Sequence, residues 1–296
     1  MKKILACGLL LLLFLVPVNA SVIAAGSTHN VAAASDGSVW AWGQNRNGQI
    51  GDGTRFARNA AVQVPGISNV RAVAAGNHHT VALRRDGTVM SWGANALGQL
   101  GNGTTTERTS PVRVQGLTNV TAISSHDTHN LALRNDGTVW AWGSNTRGEL
   151  GHGSDASFSS VPVQVVGLEN ATAIAAGWGS SFALRSDGQV VAWGLETGSN
   201  VPAQVDRAWD FNVVPAQVSG LRNVTAFSEN GQSVAVTRDG TVWQWGHGQR
   251  PQRVPVQGVR LVDTLNLREV WWPCWRHLPG WVQFLLRWVA FGWVWM

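Results

Sequence analysis

The chain has 296 residues, 44% of them hydrophobic, which is enough for one large domain or two ordinary ones and for a sizeable core. Charged residues make up only 13%, while Gly (34) and Trp (17) are abundant, a balance that argues against long solvated helices and suits short strands joined by tight turns. The formal charge of +5 includes the only lysines, Lys2 and Lys3, and the arginines are scattered among loops, so nucleic acid is not expected as a partner.

Residues 1–20 read as a signal peptide. Met1-Lys2-Lys3 precedes an apolar run from Ile4 to Val16, and Val18-Asn19-Ala20 gives a small-x-small cleavage pattern before Ser21. The run is shorter than the roughly 20 residues that span a bilayer, so no membrane span is expected in the mature chain. Cys7 stands ahead of most of the apolar run, which argues against a lipid-attached cysteine. Cleavage near Ala20 removes both lysines and Cys7, leaving a charge of +3 and Cys274 as the last cysteine. No intrachain disulfide is then available, and stability must come from packing. The expected location is secreted, periplasmic or at the cell surface.

From residue 21 the chain repeats itself. A Trp-Gly pair recurs at Trp42-Gly43, Trp92-Gly93, Trp142-Gly143, Trp193-Gly194 and Trp245-Gly246, spaced by 50, 50, 51 and 52 residues. An Asp-Gly pair stands six residues before each of these tryptophans, at Asp36-Gly37, Asp86-Gly87, Asp136-Gly137, Asp187-Gly188 and Asp239-Gly240. In the second copy, Val70 to Gly76 is a run of apolar and small residues suited to a crowded inner strand. Thr80 to Arg85 and Thr88 to Trp92 alternate about Asp86-Gly87, which predicts a hairpin with a two-residue turn whose positive φ the Asp-Gly pair supplies. Asn95 to Gly103 is a compact glycine-rich loop anchored by its leucines, and Pro111-Val112-Arg113-Val114 is an outer strand that tolerates proline. Each copy thus predicts four strands, one propeller blade. The copies span about 22–66, 70–116, 120–167, 171–220 and 224–258, within a repeat domain of 21–258.

The ensemble of Gly-x-x-His, Ala-Leu-x-x-Asp-Gly, Trp-x-Trp-Gly, Asn-x-x-Gly-Gln-Leu-Gly and Pro-Val-x-Val resembles the repeat of the regulator-of-chromosome-condensation family. The resemblance implies an all-β fold, a β-propeller of four-stranded blades. Family members have about seven blades; with five recognisable copies, the chain is expected to be either a five-bladed member or one truncated from the seven-bladed type.

The repeated polar and aromatic positions read as framework. His29, His79 and His129 share one position, occupied by Ser180 and Gln232 in the other copies, so hydrogen bonding to neighbouring backbone is expected there and no metal. Trp40 with Trp42, Trp140 with Trp142 and Trp243 with Trp245 stand two apart on one strand face, placed to fill the gap between blades. The recurrent Asn-Val-Thr of Asn119 and Asn223, like Asn102-Gly103-Thr104 and Asn170-Ala171-Thr172, forms a glycosylation triplet that matters only in a glycosylating host. No phosphate loop, nucleophile elbow, zinc-hydrolase motif or cysteine pair occurs, so neither catalysis nor a cofactor is expected.

Function is then expected where a copy departs from its siblings, in loops at one rim. The fourth copy departs most: it replaces the glycine-rich loop with Leu195-Glu196-Thr197-Gly198 and carries Asp206, Arg207, Trp209, Asp210 and Phe211 outside the repeated positions. Tryptophan and arginine are common binding anchors, so this loop is the candidate contact for a protein or cell-surface ligand. Arg46, Arg108 and Arg147, with Arg55 and Arg58, form a basic rim beside it. The leading expectation is an exported, non-catalytic interaction module. The alternatives are guanine-nucleotide exchange on a host small GTPase, which the family resemblance suggests, and enzyme inhibition, since secreted propellers that inhibit β-lactamases look similar in their Asp-Gly and Trp-Gly core.

Residues 259–296 leave the pattern. Seven tryptophans from Trp271 to Trp295 are an unusual composition for a selected surface. A truncated or out-of-frame end is expected there, with an interfacial membrane helix as the alternative.

Overall fold

The computed structural model describes residues 22–195, 211–229, 232–246 and 249–255. The chain divides into two units, Met1–Val254 and Pro255–Met296. All the described strands lie in the first, where they form five four-stranded antiparallel sheets. The first is β1 (Ile23–Ala25), β2 (His29–Ala33), β3 (Val39–Gly43) and β4 (Arg58–Gln63). The second is β5 (Val70–Ala75), β6 (His79–Arg84), β7 (Val89–Gly93) and β8 (Arg108–Arg113), and the third is β9 (Val120–His126), β10 (His129–Arg134), β11 (Val139–Ser144) and β12 (Phe158–Gln164). The fourth is β13 (Ala171–Ala176), β14 (Ser180–Arg185), β15 (Val190–Leu195) and β16 (Phe211–Gln217), and the fifth is β17 (Val224–Glu229), β18 (Ser233–Thr237), β19 (Val242–Trp245) and β20 (Gln252–Val254). Each sequence copy is one blade of a β-propeller, its strands paired in chain order.

The core lies between blades. Val31, Val39, Ala41 and Ile50 of the first blade pack against Val73, Ala75, Ala82 and Trp92 of the second. On its other face the second blade sets Ala72, Ala74, Val81, Leu83 and Val89 against Ala132 and Trp142 of the third. Alternation along each strand therefore serves two seams, one per face, which is why inner strands such as Val70-Arg71-Ala72-Val73-Ala74-Ala75 are apolar on both sides. The tryptophan of the Trp-Gly pair fills the seam from the second blade on: Trp92, Trp142 and Trp193 are fully buried and Trp245 is 3% exposed, whereas Trp42 of the first blade is half-buried. The first tryptophan sits nearer the surface, against expectation; Trp40 is 38% exposed and its Nε1–H donates to Ser38 Oγ at 3.1 Å.

The hairpin turns also differ from the two-residue form. Arg84 N–H donates to the Thr88 carbonyl (2.9 Å) and Gly87 N–H to the Arg84 carbonyl (3.1 Å), so the loop has three residues and only its glycine takes positive φ, 78°. Asp86 instead caps the turn, its Oδ1 accepting Thr88 N–H at 3.0 Å and Thr88 Oγ1–H at 2.6 Å. The freed Gly87 carbonyl then accepts Val120 N–H at 3.1 Å, tying the turn to the first strand of the next blade. Asn69, Asn119, Asn170 and Asn223, with φ of 55–60°, turn the chain into each of those strands. This is the structural reason for the recurring asparagine of Asn-Val-Thr.

Candidate functional site

The other ends of the blades carry the long loops, and the repeat builds these identically in the first three copies. Asn45, Asn95 and Asn145 are the hubs: their Oδ1 atoms accept the N–H of Ile50, Leu100 and Leu150 at 2.9–3.0 Å, and their amides donate back to carbonyls across the loop. Each loop reaches over the outer strand of the next blade, with Gly53 N–H on the Thr109 carbonyl, Gly103 N–H on Ser160 and Gly153 N–H on Val213, at 2.8–3.0 Å.

The loop carbonyl before the buried aliphatic residue closes the seam. The Gln49, Gln99 and Glu149 carbonyls accept the indole N–H of Trp92, Trp142 and Trp193 at 2.7–2.9 Å. The same carbonyls accept from Thr80 Oγ1, Asn130 Nδ2 and Ser181 Oγ at 2.8–2.9 Å. Those three side chains in turn receive Nε2–H of His29, His79 and His129 at 2.8–2.9 Å. The repeated histidines therefore bond side chains of the following blade, and not neighbouring backbone as expected. Since Thr80 and Ser181 spend their hydroxyl protons on the loop carbonyl, each histidine must be the donor, neutral with its proton on Nε2. Burial, with His79 and His78 nearby, pulls the His29 pKa down to about 4. Burial does the same for His79, to about 4, against its bond to Asn130, and for His129, to about 3, helped by His126 and His79.

The third loop carries Glu149 where its siblings carry Gln49 and Gln99. Its carboxylate accepts Arg147 N–H at 2.7 Å and Ser144 Oγ–H at 3.2 Å, and burial pushes its carboxyl above the ordinary range despite those bonds and its own backbone N–H.

The candidate arginines separate into two groups. Arg55 pairs with Glu107 at 2.6 Å, and Arg58 with Asp52 at 2.5 Å, so both are committed to loop structure. Arg46, Arg108 and Arg147 have no ion pair among the described residues. Arg46 is exposed on the first loop, where its carbonyl accepts Arg55 Nη1–H at 2.8 Å, and Arg108 is half-buried at the start of β8. Arg147 lies over the ring of Trp178, its guanidinium carbon 4.6 Å from the centroid, and Trp178 is 45% exposed. Phe211, half-buried at the start of β16, lines with Thr146, Asp155, Ser157 and Val213 a cleft of about 240 Å³ beside the same third loop. That volume is below the roughly 300–1,000 Å³ of small-molecule sites and suits an inserted side chain. Asp206, Arg207, Trp209 and Asp210 lie outside the described residues.

The structure thus brings Arg147 and Phe211 to the two flanks of one loop, leaves Arg46 and Arg108 on earlier blades, and adds Trp178. In three blades the position of Trp178 is polar and linked: Ser27 Oγ donates to Asn77 Oδ1, and Asn77 Nδ2 to Asp127 Oδ1, both at 2.5 Å. Tryptophan interrupts that chain in the fourth blade. The signal was legible, since Ser27, Asn77, Asp127 and Trp178 share one phase of the repeat.

Comparison with known proteins agrees with this architecture. The regulator of chromosome condensation (RCC1) repeat matches residues 36–83, 86–133 and 136–184 in one form and 21–49, 70–99, 120–149 and 171–198 in a second, together covering 21–198. No curated protein matches the chain in sequence. Among solved structures, a chain in the crystal structure of Kap60 bound to yeast RCC1 (Prp20) is 25% identical with a TM-score of 0.70, the match covering 79% of this chain and 61% of that one. Prp20p from Saccharomyces cerevisiae gives 23% and 0.67 over 79% and 63%, and human WBSCR16 gives 22% and 0.67 over 79% and 66%. The chain spans just under two thirds of the length of these structures.

Proposed function

The chain belongs to the regulator of chromosome condensation repeat family, and from that premise we propose that it is an exported, non-catalytic propeller that binds a protein through its loop rim at the third and fourth blades. The observation that carries this reading is the exposed Trp178 beneath the Arg147 guanidinium, at a position where the sibling blades place linked polar residues. An aromatic ring pre-stacked by a cation offers a large rigid contact at little entropic cost, the usual chemistry of an interface anchor. The neighbouring cleft with Phe211 supplies a place for a partner side chain. Protein ligands also accompany the family likeness: Kap60 is bound to yeast RCC1 (Prp20), and Prp20p has binding properties to Gsp1p and histones. Export rests on Lys2-Lys3, the apolar run and the Ala20 cleavage pattern, and the lack of catalysis on a sequence without a catalytic motif.

The test is a pull-down from extracellular fractions with the full chain, followed by affinity measurement on the identified partner. Arg147→Ala with Trp178→Ala should weaken binding by tenfold or more, on the order of an interface anchor's contribution, with the unfolding midpoint little changed. Unaltered affinity contradicts the assignment of the site. Acceleration of nucleotide release from a small GTPase in a parallel assay would replace plain binding by exchange.

A further inference from the structure

The first long loop departs from its two siblings at the tip. In the second and third loops the hub asparagine holds the tip down: Asn95 Nδ2 donates to the Thr106 carbonyl at 2.9 Å and Asn145 Nδ2 to the Ala156 carbonyl at 2.7 Å. Phe56 stands at that place in the first loop, where the Asn45 amide bonds Asp52 Oδ1 at 3.2 Å and the Thr54 carbonyl at 3.0 Å. Two ion pairs brace this tip from either side. Arg58 meets Asp52 at 2.5 Å, and Arg55 meets Glu107 of the second loop at 2.6 Å while donating to the Arg46 carbonyl at 2.8 Å. Asn47 Nδ2 adds a bond to the same Glu107 carboxylate at 2.7 Å. Between these braces Phe56 is 74% exposed, more than any other large hydrophobic residue described. A single exposed apolar side chain is ordinary. Here, however, the loop exchanges a hub bond made by both siblings for two ion pairs, and the result is an aromatic ring on a fixed backbone, which loses little freedom on contact.

We propose that the tip of the first long loop is a docking surface for an acidic segment of a partner protein. An apolar residue of that segment lies on the Phe56 ring and a neighbouring carboxylate meets Arg46. The charges select this partner. Residues 44–58 and 104–108 hold four arginines, Arg46, Arg55, Arg58 and Arg108, and two carboxylates, Asp52 and Glu107. Both carboxylates are engaged by Arg58 and Arg55, so the surface keeps an excess of positive charge, and the Arg46 side chain is exposed with no ion pair among the described residues. A nucleic acid would meet the same cations through its phosphates, but it calls for a continuing basic stripe, and Asp52 and Glu107 stand within this one. The surface goes beyond the rim at Trp178, uses none of its residues and stands whether or not that rim binds.

The probe is a phage-displayed library of random heptapeptides panned on the full chain, with the enriched sequences synthesised and titrated by fluorescence anisotropy. Enriched peptides should carry Asp or Glu beside an aromatic or aliphatic residue, bind saturably, and weaken as salt is raised. Phe56→Thr, which places there the residue type of Thr106, should bind them about tenfold more weakly, the loss of an aromatic anchor. Arg46→Glu should weaken them by about tenfold as well, through like-charge repulsion. Both side chains are exposed, so the unfolding midpoint of either variant should match that of the unaltered chain, which separates lost contact from lost fold. The Arg147→Ala, Trp178→Ala protein should bind the peptides normally, so failure of this site and failure of the rim are told apart. Absence of enrichment, enrichment of peptides without acidic residues, or undiminished binding by Phe56→Thr overturns the proposal. So does Phe56-dependent binding of vesicles of anionic phospholipid or of a thymidine oligonucleotide in place of the peptides, which would assign the surface to a membrane or to nucleic acid.

Discussion

His29, His79 and His129 decide how the seams respond to acid. Each donates from Nε2, so protonation must place a second N–H on Nδ1, and His29 Nδ1 is buried with no partner among the described residues. Their folded pKa values, about 4, 4 and 3, lie below the 6.5 of an unfolded histidine, so the unfolded chain binds protons first as pH falls. The stability they contribute is complete above pH 6.5 and is lost as pH drops towards the folded values, at about 1.4 kcal/mol per unit of depression for each histidine as a limit. Glu149 runs the other way, because burial raises its carboxyl: its penalty is absent in acid and grows as pH rises above the unfolded value. Thermal denaturation across pH 4 to 7 should therefore show a steep fall in midpoint below about pH 6.5. His129→Gln, which places there the amide that the fifth copy has at Gln232, should flatten that fall, and Glu149→Gln should raise stability at pH 7 by about 1 kcal/mol. A midpoint independent of pH across this range would refute the neutral-donor assignment.

At the scale of strands and loops, most of the framework was legible because a propeller repeats its physics with its sequence. The fixed phase of Asp-Gly and Trp-Gly gave the strands, their order and the buried tryptophan of each seam. What stayed hidden was what depends on the next blade. An Asp-Gly pair serves both two- and three-residue hairpins, and only the bond from Gly87 to Val120 shows why the glycine carbonyl must face outward. The histidine's partner lies 51 or 52 residues away, a pairing that spacing permits but does not name. Trp140 and Trp142 look equivalent in sequence, yet only Trp142 is fully buried and meets a loop carbonyl, that of Gln99. Trp142→Ala should accordingly destabilise by about 3–5 kcal/mol, whereas Trp40→Ala, at the surface, should cost about 1 kcal/mol or less in chemical denaturation. Equal losses would show that both fill seams. Of the candidate residues, Arg147 and Phe211 stand out in sequence by residue type, and the structure places both beside the third loop. Trp178 is marked by its phase alone, as the aromatic residue where the sibling copies carry the polar Ser27, Asn77 and Asp127.

Across the whole molecule, the two blade ends divide the work. The Asp-Gly turns bind each blade to the next through backbone bonds such as Val120 N–H on the Gly87 carbonyl, and ion pairs such as Arg84 with Asp86 at 3.2 Å brace the hairpin tips themselves. The long-loop ends carry the departures from the repeat, including the Trp178–Arg147 pair and the Phe211 cleft. In the function we propose, repeated positions encode the scaffold and unrepeated ones the recognition, which is how one repeat architecture can serve different partners. Amide hydrogen exchange of the full chain with and without its captured partner tests this most directly. The account predicts new protection at residues 145–157 and 177–179, on the loop rim of the third and fourth blades. Protection confined to the opposite Asp-Gly turns at residues 85–87, 135–137 and 186–188 would contradict it.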